Sequence, residues 1–342
     1  MLEQTFPTAS SVDGLDSVNA TTLVINGYAN GSFGTVLFKV PGNTTRVVQP
    51  VIPGNGNIYP VSSIAAGGAF FVDYYNFTTT HTFWQKITVA GKVTTLSTPL
   101  GPTFSWIFLF GNLTALYVES GSLLLRMNPF TLAITQNLTG VLPAKIALEG
   151  VLPAPGRLYL EGTRLSSTGG YTAWFGFLTN STGKLTTVSS TPKMPLGTSG
   201  SFYTMENQGP YLYLGGTLEG NNSSGFWTAQ GYLYRYNTAT GAYRNESSLL
   251  PAARAGVWAI EPWGKTIGIS MSWFRVSYAT GLSGPTGGIY RLVGTTFQNV
   301  TGFLPAGYVA DIYDVTSVSA TWFISGGGNT NTGVAQVVAI KT

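Results

Sequence analysis

The chain lacks cysteine, holds one histidine, and only 9% of its 342 residues are charged. Without cysteine there is no disulfide, no thiolate metal site and no cysteine nucleophile. With His81 alone, in the Thr-rich stretch Thr78-Thr79-Thr80-His81-Thr82, no histidine metal triad can form within one chain. A serine–histidine–aspartate relay would depend on that single residue. No run approaches 18 apolar residues, so no transmembrane helix is written in the sequence. Met1-Leu2-Glu3-Gln4-Thr5-Phe6 lacks the basic and apolar regions of a signal peptide, so export is expected after loss of a leader or as part of a virion. There is no phosphate-binding loop either, because Gly326-Gly327-Gly328 runs into Asn329-Thr330-Asn331 rather than a helix.

What is present is apolar and repetitive. Hydrophobic residues make up 44% and aromatics 13%, ample for a large core. β-branched and aromatic runs alternate with Gly/Asn turns, which predicts strands. Seven prolines, Pro7, Pro53, Pro99, Pro143, Pro195, Pro251 and Pro305, punctuate the chain at steps of 44 to 56 residues. A period of about 40–50 residues built from short strands is the signature of propeller blades. The expected fold is therefore all-β: a single seven-bladed β-propeller over 1–342, with four antiparallel strands per blade. The blades fall at about 8–53, 54–99, 100–143, 144–195, 196–251, 252–305, and 306–342 plus 1–7.

The unit from Pro195 to Pro251 shows the plan best. Its strands are expected at Ser201–Glu206, Tyr211–Gly216, Gly231–Tyr236 and Tyr243–Leu250, the first innermost. A second strand ending in Gly215-Gly216, and Leu250-Pro251-Ala252-Ala253-Arg254 opening the next unit, resemble the kelch family. That resemblance implies fold and no activity. The paired glycine recurs as Gly326-Gly327 and is replaced by Ser120-Gly121, Glu161-Gly162 and Asn26-Gly27. Lys39, Lys86, Arg126, Arg235, Arg291 and Lys341 recur in the third strands, with the unit containing Phe177 lacking the basic residue. Their stems are expected to pack between blades while their heads reach water. After Pro305 only three strands follow, so Leu2–Phe6 is expected to pair with Val334–Lys341 and close the ring, removing exposed sheet edges.

Charge sorts by strand. The first strands and their entry loops hold Asp13, Asp16, Glu149, Glu206, Glu261, Asp311 and Asp314, against only Lys145 and Arg254. An acidic channel inside a basic shell follows from that placement. Asp13 and Asp16 share their offsets from Pro7 with those of Asp311 and Asp314 from Pro305, so these four carboxylates are a candidate Ca²⁺ site. The expected ligand-binding set is Asp13, Asp16, Glu149, Glu206, Arg254, Trp258, Glu261, Asp311 and Asp314. Tyr203, Trp263, Trp106, Tyr308 and Tyr313 are further candidate aromatics, since aromatic faces stack on sugar rings and anchor interfaces. The basic residues are spread singly rather than clustered, which argues against nucleic acid.

Eleven of 19 asparagines open an N-x-S/T triplet: Asn19, Asn30, Asn43, Asn76, Asn112, Asn137, Asn180, Asn221, Asn222, Asn245 and Asn299. This excess is expected to mark a glycosylated extracellular, cell-surface or virion protein, although Asn, Ser and Thr also share turns. The sparse charge resembles surface and virion proteins of thermoacidophilic archaea, where protonated carboxylates cannot sustain ion pairs. The expected function is binding or adhesion to a surface glycan, or to an envelope, coat or pilus protein, without membrane insertion. An extracellular polysaccharide-active enzyme using channel carboxylates, and a purely structural coat or filament component, are the alternatives.

Overall fold

A computed structural model describes residues 2–5, 9–29, 32–40, 44–48, 58–96, 107–112, 114–120, 123–165, 171–188, 198–221, 227–251, 255–272, 287–301, 312–318, 321–329 and 334–341. Among them the strands form seven four-stranded antiparallel sheets. Sheet 1 is β2 (Ala9–Asn19), β3 (Thr22–Ala29), β4 (Ser32–Lys39) and β5 (Thr44–Val48); sheet 2 is β6 (Ile58–Ala66), β7 (Ala69–Asn76), β8 (His81–Thr88) and β9 (Val93–Leu96). Sheet 3 is β10 (Phe108–Gly111), β11 (Leu116–Ser120), β12 (Leu123–Met127) and β13 (Ile134–Asn137); sheet 4 is β14 (Ile146–Ala154), β15 (Arg157–Leu165), β16 (Tyr171–Thr179) and β17 (Leu185–Thr187). Sheet 5 is β18 (Thr198–Gln208), β19 (Tyr211–Asn221), β20 (Trp227–Asn237) and β21 (Tyr243–Asn245); sheet 6 is β22 (Gly256–Trp263), β23 (Thr266–Ser272), β24 (Gly287–Val293) and β25 (Thr296–Asn299). Sheet 7 joins β26 (Ile312–Val318), β27 (Thr321–Asn329) and β28 (Val334–Lys341) to β1 (Leu2–Thr5) from the other end of the chain. Leu2 pairs with Ala339 and Thr5 with Gln336, as the strand count in the sequence demands.

The chain packs as two compact units, Pro7–Ala144 with sheets 1–3, and Met1–Phe6 plus Lys145–Thr342 with sheets 4–7. Both breaks fall where the proline period places blade borders. Of the seven prolines, Pro143 and Pro251 are among the described residues, and each precedes a first strand.

Strand alternation explains where the core lies. Successive side chains point to opposite faces. In β7, Phe70, Val72 and Tyr74 pack toward sheet 1 with Val18, Val24 and Leu37. Ala69 and Phe71 face the other way, onto Leu109, Leu116 and Val118 of sheet 3. Sheets 4 and 5 share an aromatic core of Tyr159, Phe175, Phe202, Tyr232, Tyr234 and Tyr236, and sheets 5 and 6 share Tyr213, Val257, Ile269 and Met271. Sheets 2 and 5 are therefore apolar on both faces, which is why these strands read as near-continuous hydrophobic runs. Fully burying one such side chain is worth about 1.5–3 kcal/mol.

The first strands carry a recurrent irregularity. Pairing with the second strand skips one residue at Asp13, Glu149, Tyr203, Trp258 and Tyr313, and at Val61 in sheet 2. A β-bulge of this kind bends the strand and re-aims the extra side chain. It also explains the glycines. Opposite the bulge in sheets 4 and 5, a Cβ on Gly162 would collide with the backbone oxygen of Ala147, and one on Gly216 with that of Ser201. The need is close approach of two backbones, not an unusual φ.

Register corrects three sequence readings. The counterparts of Gly215-Gly216 are Glu119-Ser120 and Ser325-Gly326, one residue before Ser120-Gly121 and Gly326-Gly327, because strand register and not residue type decides equivalence. Lys86, Arg126, Arg235 and Arg291 share one register, but Lys39 and Lys341 sit two residues further along the same face. The fourth strand of sheet 5 ends at Asn245, and Ser247–Leu249 is a short 3-10 turn.

The basic heads also do more than reach water. Lys86 donates to the Pro129 carbonyl at 3.0 Å, tying sheet 2 to sheet 3, and Arg235 pairs with Glu246 at 2.8 Å over the Tyr211 ring. Where sheet 4 has Phe177 instead, the Arg157 guanidinium lies 4.6 Å from that ring's centroid and donates to the Thr238 carbonyl.

Candidate functional site: the bulged first strands of sheets 4 to 6

First strands of consecutive sheets lie against one another within each unit. They are stitched by side chains accepting a backbone N–H from the next sheet. The Leu109 N–H donates to Ser62 Oγ at 2.9 Å and the Ile260 N–H to Thr204 Oγ1 at 3.1 Å. The Ala65 N–H donates to the Asp16 carboxylate. Asp16 thus has a structural partner.

With the backbone so held, the extra residues of β14, β18 and β22 come from three neighbouring strands: Glu149, Tyr203 and Trp258. Tyr203 and Trp258 stack at 4.5 Å with 9° between their planes, and both are partly exposed. Glu149 retains an exposed surface, yet the protein around it withholds enough water to push its carboxyl up to about 7. Across the sheet lies Glu161, 1% exposed. Its Oε2 has no hydrogen-bond partner, and its side chain packs against Gly150, the residue after the bulge. Burial first, and then the neighbouring Glu149 charge, raise the Glu161 carboxyl well above the usual range. Burial and the Glu161 charge in turn push up the Tyr232 hydroxyl. Glu161 is held as the acid at neutral pH, while Glu149, at about 7, is divided there between acid and carboxylate.

The other expected residues are spread more widely. Glu206 on β18 is half-buried and its carboxyl is raised by burial to about 7, with the Asn207 backbone opposing. Glu261 on β22 is half-buried. Asp13 occupies the bulge of β2, and Asp314 follows the bulge of β26 opposite Ser325; their side chains lie outside the described residues. Arg254, Asp311, Trp106 and Tyr308 lie outside them altogether. Among the described residues no three His, Asp or Glu side chains gather as metal ligands. Trp263 is core, 4% exposed.

Sequence reasoning missed a ring position in the second strands. Asn26, Asp73, Glu119, Glu161, Gly215, Ser270 and Ser325 are equivalent by register, each following Ile, Val or Leu. Asn26, Asp73, Glu119, Glu161 and Ser270 are buried. Alternation turns Asn26, Asp73 and Glu161 toward the following sheet. Asp73 is wholly buried, and burial pushes its carboxyl up to about 8, with the Trp84 indole pulling the other way. The recurring aliphatic–polar dipeptide was the available signal.

The N-x-S/T triplets have a structural role. Asn19, Asn76, Asn112, Asn137, Asn245 and Asn299 each accept, through Oδ1, the N–H of the residue two ahead, at 2.8–2.9 Å. Asn128 and Asn237 make the same turn without completing a triplet. Asn137, Asn245 and Asn299 each end an outer strand, and Ser247 and Thr301 then accept the N–H groups of Leu233 and Ile289 at 3.0 Å. The triplet therefore ends an outer strand and pins its continuation to the third. Asn137, Asn180, Asn245 and Asn299 are exposed, whereas Asn76 is buried at 7%.

Similar solved structures decide the architecture. The chain is similar to a virginiamycin B lyase from Staphylococcus aureus at 12% identity, TM-score 0.57, over 99% of both chains. It is similar to the β-propeller domain of the Trilobed protease from Pyrococcus furiosus at 9% identity, TM-score 0.60, over 97% of this chain and 93% of that one. A third likeness is to the polysaccharide lyase Uly1 at 11% identity, TM-score 0.61, over 99% and 91%. The fold is a β-propeller. At these identities the propeller is shared as architecture alone. No family model and no curated protein matches the chain.

Proposed function

We propose that this protein is a binding module of seven blades, and that its partner docks on the bulged first strands of sheets 4 to 6. A surface glycan is the favoured ligand and a protein of an envelope or coat the second. The reading rests on Glu149, Tyr203 and Trp258, the residues skipped by sheet pairing on three neighbouring first strands, two of them stacked on each other. Binding is favoured over hydrolysis because a hydrolytic pair needs two carboxyls that flank the substrate, and Glu161, 1% exposed, cannot be the second beside the exposed Glu149. An extracellular or virion setting, with glycans on exposed triplets, belongs to the same reading.

The test is a glycan array probed with the intact protein and with Trp258→Ala. Binding by the wild type that disappears in the variant, at unchanged melting temperature, supports the reading. Turnover of a polysaccharide that Glu149→Gln abolishes, with binding intact, would replace it with catalysis.

A further inference from the structure

We propose that the bulge face of sheets 4 to 6 takes an uncharged saccharide, its ring on the Tyr203–Trp258 pair and its hydroxyls on Glu149. This deepens the binding reading above and depends on it.

Three observations lead there. First, the three strands concerned are Ile-Ala-Leu-Glu-Gly-Val-Leu-Pro-Ala, Thr-Ser-Gly-Ser-Phe-Tyr-Thr-Met-Glu-Asn-Gln and Gly-Val-Trp-Ala-Ile-Glu-Pro-Trp. None holds Lys or Arg, and each holds one Glu. A sulfated, sialylated or uronic sugar would meet no countercharge on these strands, and would face repulsion wherever Glu149, Glu206 or Glu261 ionises. Second, the Tyr203 and Trp258 rings come from adjacent blades and stack face to face at 4.5 Å, so each braces the other and an outer ring face, not the width of both, is what a sugar can meet. Aromatic faces take the C–H face of a pyranose well. Third, Glu161 leaves a buried oxygen without a partner beneath the Glu149 bulge. A polar group so buried is costly unless something satisfies it. A proton shared with Glu149 is one remedy, and the titratable groups that couple to Glu161 are Glu149, Tyr232 and Tyr243, none of them cationic. The neutral pair then offers a donor to a sugar hydroxyl without adding charge.

An acid-side preference follows. Ionising Glu149 above pH of about 7 removes the donor and places a negative charge over the buried Glu161, so affinity should fall as pH rises.

Titration calorimetry at pH 5 and pH 8 tests this on the full chain. The probes are neutral hexasaccharides (malto-, cello- and manno-), a heparin hexasaccharide, a galacturonic hexasaccharide and a chitosan hexamer. The expected result is binding of at least one neutral probe, tighter at pH 5, weakened about tenfold or more in Trp258→Ala and in Tyr203→Ala. Glu149→Gln should abolish the pH dependence between pH 5 and pH 8, which a merely structural role would not do. Preference for the heparin, galacturonic or chitosan probe, lost in Trp258→Ala, overturns the uncharged class while leaving the binding face intact. Binding of a neutral probe that neither aromatic variant alters overturns the face itself. Failure of all neutral probes overturns the inference alone.

Discussion

Asp73 and Glu161 are kept by the fold as acids rather than ions, and that choice has a price in pH. Both titrate higher folded than unfolded, Asp73 from an ordinary 3.8 to about 8. A group of this kind binds its proton more tightly in the native state, so its stabilisation is complete below pH of about 4. It is lost as pH climbs through the folded value. The loss runs at up to about 1.4 kcal/mol per pH unit for each such group. Melting temperature should therefore fall between pH 5 and pH 9, and Asp73→Asn, which cannot ionise, should flatten that fall. A wild-type melting temperature that rises over this range would refute the assignment. At the outer strands, Thr301→Ala removes the hydroxyl that accepts the Ile289 N–H and should cost about 1 kcal/mol in denaturant unfolding. Ser247→Ala should do the same opposite Leu233.

Among elements, the bulged first strand is the one that shapes its partners. Gly216→Ala and Gly162→Ala each push a methyl into a facing carbonyl, so about 2–3 kcal/mol of destabilisation is expected by thermal melting. The strand β1 is the second such element. Removing residues 1–6 leaves β28 with an unpaired edge, and should lower the melting temperature and promote self-association, read by light scattering. Strand positions were legible in the sequence because sheets such as 2 and 5 are apolar on both faces and Gly/Asn turns are frequent. The β1–β28 pairing was legible by counting strands. Bulges were not, because an inserted Glu149 or Tyr203 leaves the hydrophobic pattern readable in either register. For the same reason the glycine pair was matched one residue off in sheet 7. The site was half legible: Glu149 and Trp258 stood out as an acid and an aromatic near a first strand. Glu161 did not, because it occupies a position filled by glycine in sheet 5.

At the scale of the whole molecule, the turn chemistry and the glycosylation expectation make separable claims. If glycans are attached in the native host, mass-spectrometric mapping should find them at the exposed Asn137, Asn180, Asn245 and Asn299, and leave the buried Asn76 bare. Occupancy at Asn76 would contradict the fold around β7. A bare protein from its native source would assign the triplets to strand termination alone. The charge of the particle shifts as well: with Asp73 and Glu161 protonated, the molecule is more cationic at neutral pH than its formal +4.

The inserted residues also bear on how this scaffold can change. Each stands outside the hydrogen-bonded ladder, flanked by side chains that the interior requires, and nature has already filled six of them with Asp, Val, Glu, Tyr, Trp and Tyr. Randomising Glu149, Tyr203 and Trp258 together should yield libraries whose members melt near the parent while differing in what they capture, much as variable loops diversify on a constant frame.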